Sequence, residues 1–546
     1  MNNKKQSILA GGLISSAGIL ISKFLGLLYV IPYDTILQTA QNRVYYANAY
    51  NIYSYVLNIA TAGLPFAIAT LIARYASRND YRTCLMVKKI SFYTMAAFGF
   101  ICMCAMILFS PMIAEQIVPD EGSYNIMRNV VILMSLAVFI IPILSSMRGF
   151  YQGFKEMEIY STSQVIEQIT RIIFLLGAGA LAVYVFHKDA IWAVYFGVIA
   201  ASVAGLLTIL YIKSYDRTKL KVIKRKAKEQ EHQLNIAPYE LFKELVFVAI
   251  PFLLIAVFGY CDTIINQMDI VPGLKAFGVA KKEITLLQDA IFFKANKLIA
   301  IPMILAPGFS SAIIPYITTA LEQKNRGLVK KYILDCVESV IYIALPICFA
   351  LFVFAKPIIF TLFGVSGNNI NLYADVLRWF SLEALCATVC PIFSTLVMAL
   401  GSRRKIVLNT AIFAIVKVAI NRLLISYLGM PGMVLSSFIA YAIFAILNIW
   451  VIQKSYNVNW KYTFRKIIFM LAGLVGFYLF AKVFGFIGML DYSGSRFISL
   501  IYLGIMGIVC CLVYLVITGY CNIPQSIFDI NLKQIVQKFS KRGRHK

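Results

Sequence analysis

The chain has 546 residues, of which 60% are hydrophobic and only 14% are charged, with a formal net charge of +26. That balance excludes a soluble globular protein and points to an all-α polytopic membrane protein. The positive charge is read as membrane topology rather than nucleic-acid binding, because Lys and Arg gather in particular loops.

Apolar windows of about 20 residues, enough to cross a bilayer as a helix, recur along the whole chain. They predict fourteen spans. The first six lie near 8–31, 45–73, 90–113, 126–149, 161–185 and 190–213. The next six lie near 241–268, 288–319, 331–355, 371–400, 406–428 and 430–452, and two more near 466–488 and 496–518. The first run is too long for a signal-peptide core and is kept as a span. Pro302 and Pro307 predict kinks in the eighth. Basic residues favour alternate loops by roughly four to one, which places both termini in the cytoplasm and makes the span number even.

Five segments follow: an N-terminal lobe over 1–213, a basic cytoplasmic linker over 214–240, a C-terminal lobe over 241–455, two further helices within 456–520, and a basic tail over 521–546. The linker carries Lys221, Lys224, Arg225, Lys226 and Lys228 and is read as a solvated loop beside anionic headgroups. Gly and basic residues recur at the fourth-to-fifth and tenth-to-eleventh junctions, Arg148 to Lys155 and Leu400 to Lys405. This is the pattern of parallel repeats.

Seven bases fall inside spans: Lys23, Arg171, Lys294, Lys297, Lys417, Arg422 and Lys482. Three acids lie at similar depth, Glu167, Asp262 and Glu383. Charge in hydrocarbon is costly and marks a function or a partner, and a surplus of cations points to an anionic guest. Lys23, beside Ser22, and Lys417, one turn before Asn421, are read as facing a cavity. Gln164, Glu167, Gln168 and Arg171 form one polar face, where Glu167 and Arg171 can pair. That face is either a self-contained ion pair or part of a cavity wall. Lys294 and Lys297 share a face near a span end, where snorkelling is the competing reading, and Lys482 and Arg422 are read as anchors. Asp262 with Asn266, and Glu383, are candidates for a coupling cation or for neutralising a lysine. Eleven scattered cysteines and three histidines show no metal spacing and no disulfide framework. There is no P-loop, so no nucleotide cofactor is expected, and no catalytic loop, so no enzyme.

Ser22-Lys23-Phe24-Leu25-Gly26, Ala62-Gly63-Leu64-Pro65, and Arg148-Gly-Phe-Tyr-Gln-Gly153 followed by Ser163 to Arg171 carry a resemblance. So does the stretch from Pro302 to Pro315. The chain resembles the stage V sporulation protein B and MurJ-like lipid II flippases of the multidrug/oligosaccharidyl-lipid/polysaccharide (MOP) exporter superfamily. The resemblance implies two six-helix lobes in a V, with two C-terminal helices beside them. It also implies substrate-binding cations in the first helix, where Lys23 fits, and in the eighth, where Lys294 or Lys297 is nearest. Tyr29 stands where a second basic residue is expected, and Asn58 and Thr61 stand where another is.

The expected activity is translocation of an undecaprenyl-pyrophosphate-linked saccharide, lipid II above all, from the inner to the outer leaflet of a bacterial plasma membrane. Membrane potential or a monovalent cation is the expected energy source. The alternatives are a flippase for another envelope polysaccharide precursor and a cation-coupled multidrug exporter. The expected partners are the lipid-linked sugar pyrophosphate, membrane lipids and cell-wall synthesis proteins, with no nucleic acid.

Overall fold

A computed structural model describes residues 25–528 except 27, 63, 155, 231–235, 305–315, 318 and 489–494. Among these residues the chain is almost wholly helical. The N-terminal helices are α1 (Val30–Leu37), α2 (Ala40–Ala62), α3 (Leu64–Ser77), α4 (Tyr81–Leu108), α5 (Ser110–Ile117), α6 (Tyr124–Gly153), α7 (Met157–Ala180) and α8 (Ile191–Glu229). They continue as α9 (Pro238–Gly259), α10 (Cys261–Phe277), α11 (Lys281–Gln288), α12 (Asn296–Met303), α13 (Arg326–Val353) and α14 (Ala355–Phe363). The last six are α15 (Asn369–Ala399), α16 (Arg403–Leu428), α17 (Met430–Tyr456), α18 (Lys461–Phe486), α19 (Arg496–Tyr520) and α20 (Ile523–Phe528).

Eleven helical segments among the described residues are long and apolar enough to cross a membrane. They match the predicted third to seventh and ninth to fourteenth spans. Most of the predicted first span, with Ser22 and Lys23, lies outside the described residues. So do much of the eighth span and the end of the tail. The second span is divided into α2 and α3, and α2 is too polar to qualify, because it carries Asn42, Arg43, Asn48, Asn51 and five tyrosines.

The charged run after the sixth span is not an open loop in its first part. α8 continues through it to Glu229. The Arg82 Nε donates to the Ala227 carbonyl at 2.8 Å, and Gln230 Nε2 donates to the Asp80 carboxylate at 3.1 Å, so the run is docked on the start of α4. Lys219 meets Glu156 at 2.7 Å, and this hydrogen bond holds the ammonium above the usual lysine range.

Two compact units divide the chain, Met1–Phe293 with Thr410–Ser436, and Lys294–Asn409 with Ser437–Lys546. In the first, α6 is central, with 72% of its apolar window buried, and packs on α2, α3, α4 and α8. The Arg148-to-Gly153 motif has a packing reason here. A Cβ on Gly149 would lie 2.9 Å from the Pro65 backbone, and one on Gly153 would lie 2.5 Å from the Ile72 Cβ. Two glycines four apart therefore let α6 and α3 approach closely, the small-residue device of membrane helices. In the second unit α13 packs on α15 and α18, and α18 on α19. Tyr342 and Thr518 share a hydrogen bond of 2.9 Å, and buried Glu338 meets Lys466 at 2.5 Å and Thr463 at 2.6 Å. All eleven cysteines are free thiols.

Candidate functional site

The polar face predicted on the fifth span is present on α7, but its pairing differs from the expectation. Glu167 does not pair with Arg171. It accepts from Arg148 Nη2 at 2.8 Å, while Arg148 Nε donates to Ser163 Oγ at 2.8 Å. Arg148 is 5% exposed and comes from α6, so a base from another helix takes the carboxylate. Gln164 is half-buried on the same helix. Arg171 is left to hydrogen-bond the neutral Gln168 side chain and to lay its guanidinium over the Tyr50 ring, 5.5 Å from the centroid. Its buried Nε has no hydrogen-bond partner among the described residues.

Around Arg171 the wall belongs to α2. Tyr46 stacks on Tyr50 at 5.8 Å, and Tyr50 meets Tyr53 at 5.8 Å. Spacings of four and three place these rings on one helical face. The Tyr53 hydroxyl, the Asn51 Nδ2, both polar atoms of the Asn48 side chain and Gln168 Nε2 are buried without hydrogen-bond partners among the described residues. Each such group costs about 1–3 kcal/mol unless something meets it, so the concentration marks a surface suited to a hydrogen-bonding guest. A search confined to charges passes over these tyrosines and amides, although their spacing on one face is visible in the sequence.

Lys294 and Lys297 belong to the second unit. A π-helical stretch, Asp289–Ala295, interrupts the eighth span just before α12, and such turns concentrate at functional positions. Lys294 does not snorkel. It is 1% exposed, with its ammonium 5.1 Å from the Phe363 ring centroid and 5.3 Å from that of Tyr373. Cation–π contact helps to make a buried ammonium tolerable. Lys297 is half-buried, and Glu383 on α15 is buried.

Two residues assigned to different roles meet in the first unit. Lys417 of α16 pairs with Asp262 of α10 at 3.1 Å, and the lysine side chain is fully buried. The ammonium also donates to Ser436 Oγ at 2.8 Å and to the Met433 carbonyl at 3.3 Å. Asn266 Nδ2 supports the other Asp262 oxygen at 3.2 Å. A tight hairpin sets this up: Gly429 has φ +67, and a Cβ on Gly432 would collide with the Leu424 carbonyl. Of the two options for Asp262, the structure thus shows the neutralised lysine. Arg422 and Lys482 are exposed, as anchors are.

Two further acids are buried near predicted span ends. They are Asp34 and Asp289, and Arg43 joins them at 3.3 and 2.9 Å. Arg43 and Asp289 are 246 residues apart, so no local pattern announces them. Glu244 likewise binds Arg74, and it accepts from the Tyr75 hydroxyl at 3.0 Å. Among the described residues no group of His, Cys, Asp and Glu could hold a metal ion.

A family model described as "Polysaccharide biosynthesis protein" matches residues 8–321. The Bacillus subtilis lipid II flippase MurJ is 27% identical over 98% of this chain and 99% of its own length. The stage V sporulation protein B of the same organism is 24% identical over 87% of this chain and 89% of its own length. A solved structure of lipid II flippase MurJ in an inward closed conformation superposes with TM-score 0.63 at 15% identity, covering 93% of this chain and 99% of that one. An inward-facing multidrug resistance MATE family transporter of the MOP superfamily gives TM-score 0.63 at 13% identity, covering 79% and 95%. The chain therefore belongs to the polysaccharide biosynthesis protein family.

Proposed function

We propose that this multi-pass membrane protein is a flippase that moves an undecaprenyl-pyrophosphate-linked saccharide, lipid II foremost, from the inner to the outer leaflet. It is a transporter and not an enzyme. The observation that carries this reading is the 27% identity to lipid II flippase MurJ along essentially the full length of both chains. The buried arginine with aromatic and amide neighbours adds chemical support, because a pyrophosphate needs charge-assisted donors and a sugar needs amides and ring faces.

In this reading the chain crosses the membrane fourteen times, with both termini in the cytoplasm. The anion contacts are assigned separately for each unit. The first unit offers Arg171 with Gln164, and the second offers Lys294 and Lys297; Ser22 and Lys23 are added from the resemblance alone, and Glu167 is left out because Arg148 holds its carboxylate. Lys417 is left out, because Asp262 already neutralises it. An inside-negative potential favours outward movement of an anion by about 2.3 kcal/mol per charge per 100 mV, so voltage supplies the drive. Cell-wall synthesis proteins that consume the flipped precursor are the natural partners.

Depletion of the protein should trap lipid II in the inner leaflet, read by its accessibility to an externally added probe, and re-expression should release it. Unchanged lipid II exposure would reject lipid II as substrate. The family description itself favours one second reading, a flippase for another envelope polysaccharide precursor. In that case the same depletion would trap a different lipid-linked sugar.

A further inference from the structure

Arg496 opens α19, and its side chain reaches the end of α14. Its Nε donates to the Thr361 carbonyl at 3.1 Å and its Nη2 to the Leu362 carbonyl at 2.7 Å. The last carbonyls of a helix have no partner within it, and a planar guanidinium can meet two of them at once. The helix stops at Gly364, which has φ +66, and a Cβ there would lie 3.4 Å from Arg496 Nη1. The guanidinium therefore lies close over the end of α14, which packs on α15 as well as on α19. The next residue after Leu362 is Phe363, whose ring centroid is 5.1 Å from the Lys294 ammonium. Tyr373 of α15 supplies the other ring at 5.3 Å, and both aromatic residues are buried. All of these residues belong to the second unit.

We propose that Arg496 is a positioning residue for Lys294. By holding the end of α14 it fixes the Phe363 ring against which the ammonium rests, and so ties α19 to the anion contact of the second unit. A lysine side chain has much rotamer freedom, and a fixed aromatic wall removes part of it before an anion arrives. Arg496 acts through two carbonyls and a ring, without touching the anion itself. This inference rests on the reading of Lys294 as a pyrophosphate contact, and not on which sugar the lipid carries.

The test measures binding of undecaprenyl pyrophosphate to the purified full-length protein in detergent. Lys294→Gln should weaken binding about 10-fold and Arg496→Gln about 5-fold. In the Lys294→Gln background, Arg496→Gln should add nothing beyond about twofold, because its effect passes through the lysine. A loss of the same size in both backgrounds would overturn the proposal, since a general loosening of the fold or a direct contact of Arg496 with the ligand gives that result. So would undiminished binding by Arg496→Gln. Undiminished binding by Lys294→Gln would instead reject the pyrophosphate contact itself, and the proposal with it. A second cycle needs no Lys294 variant. Phe363→Leu should weaken binding as Arg496→Gln does, and Arg496→Gln/Phe363→Leu should bind no more weakly than either alone; additive losses there would overturn the proposal.

Discussion

Arg171 on α7 and Lys417 on α16 are both basic residues inside predicted spans, the fifth and the eleventh. Their surroundings differ. Lys417 has a carboxylate and two further oxygens and is fully buried. Arg171 has a neutral amide and a tyrosine ring, while the carboxylate one turn away is held by Arg148. A basic residue in a membrane span is thus not by itself a binding group. Its availability is decided by whether another helix brings it an acid, and that makes Arg171 the better candidate for an anionic guest.

The largest effect should come from breaking the satisfied pair. Asp262→Ala removes the carboxylate beside a buried ammonium and should cost about 3–5 kcal/mol, read as a fall in unfolding temperature. Asp262→Ala/Lys417→Met should recover most of it, since both charges then leave together; no recovery would mean that the pair is not the reason. Arg171→Ala should change stability little but cut substrate transport about 10- to 100-fold, the worth of one lost charge-assisted contact. Transport at the wild-type rate in reconstituted vesicles would remove the contrast between the two sites.

A smaller effect is expected at Arg148. Arg148→Ala should cost about 1.5 kcal/mol and free Glu167 to neutralise Arg171, so that transport falls as well. Arg148→Ala/Glu167→Gln should restore transport, and failure to do so would show that Arg148 acts in its own right. Lys482→Ala should lie within about 0.5 kcal/mol of wild type in the same unfolding assay, because its side chain is exposed.

Much of the fold was legible without coordinates. Helical spans announce themselves because lipid demands about 20 apolar residues and internally satisfied backbone. Where the spans were harder to read, the physical reason is local. α2 is enriched in amides and tyrosines that face protein, so its hydropathy is low. The eighth span is interrupted by a π-helical stretch that shifts side-chain register, which a fixed helical period misses. The linker looked like a loop because its residues are charged, yet a solvated helix satisfies the same composition, and the contacts of Ala227 and Gln230 hold it in place.

The site was legible only in part. Arg171, Glu167, Asp262 and Lys417 were recognisable because each is an ionisable group in an apolar run. Arg43 with Asp34 and Asp289 was not, since those residues sit near predicted span ends where charge is ordinary.

By itself the sequence determined that this is a helical membrane protein and which family it resembles, because hydropathy and short motifs are local properties of the chain. It also determined which ionisable groups had to be explained. Only the tertiary structure decided that Glu167 serves Arg148, that Asp262 serves Lys417 and that Lys294 lies between two aromatic rings. Ion pairing depends on distances of a few ångströms between helices far apart in the chain, and no local pattern encodes those distances.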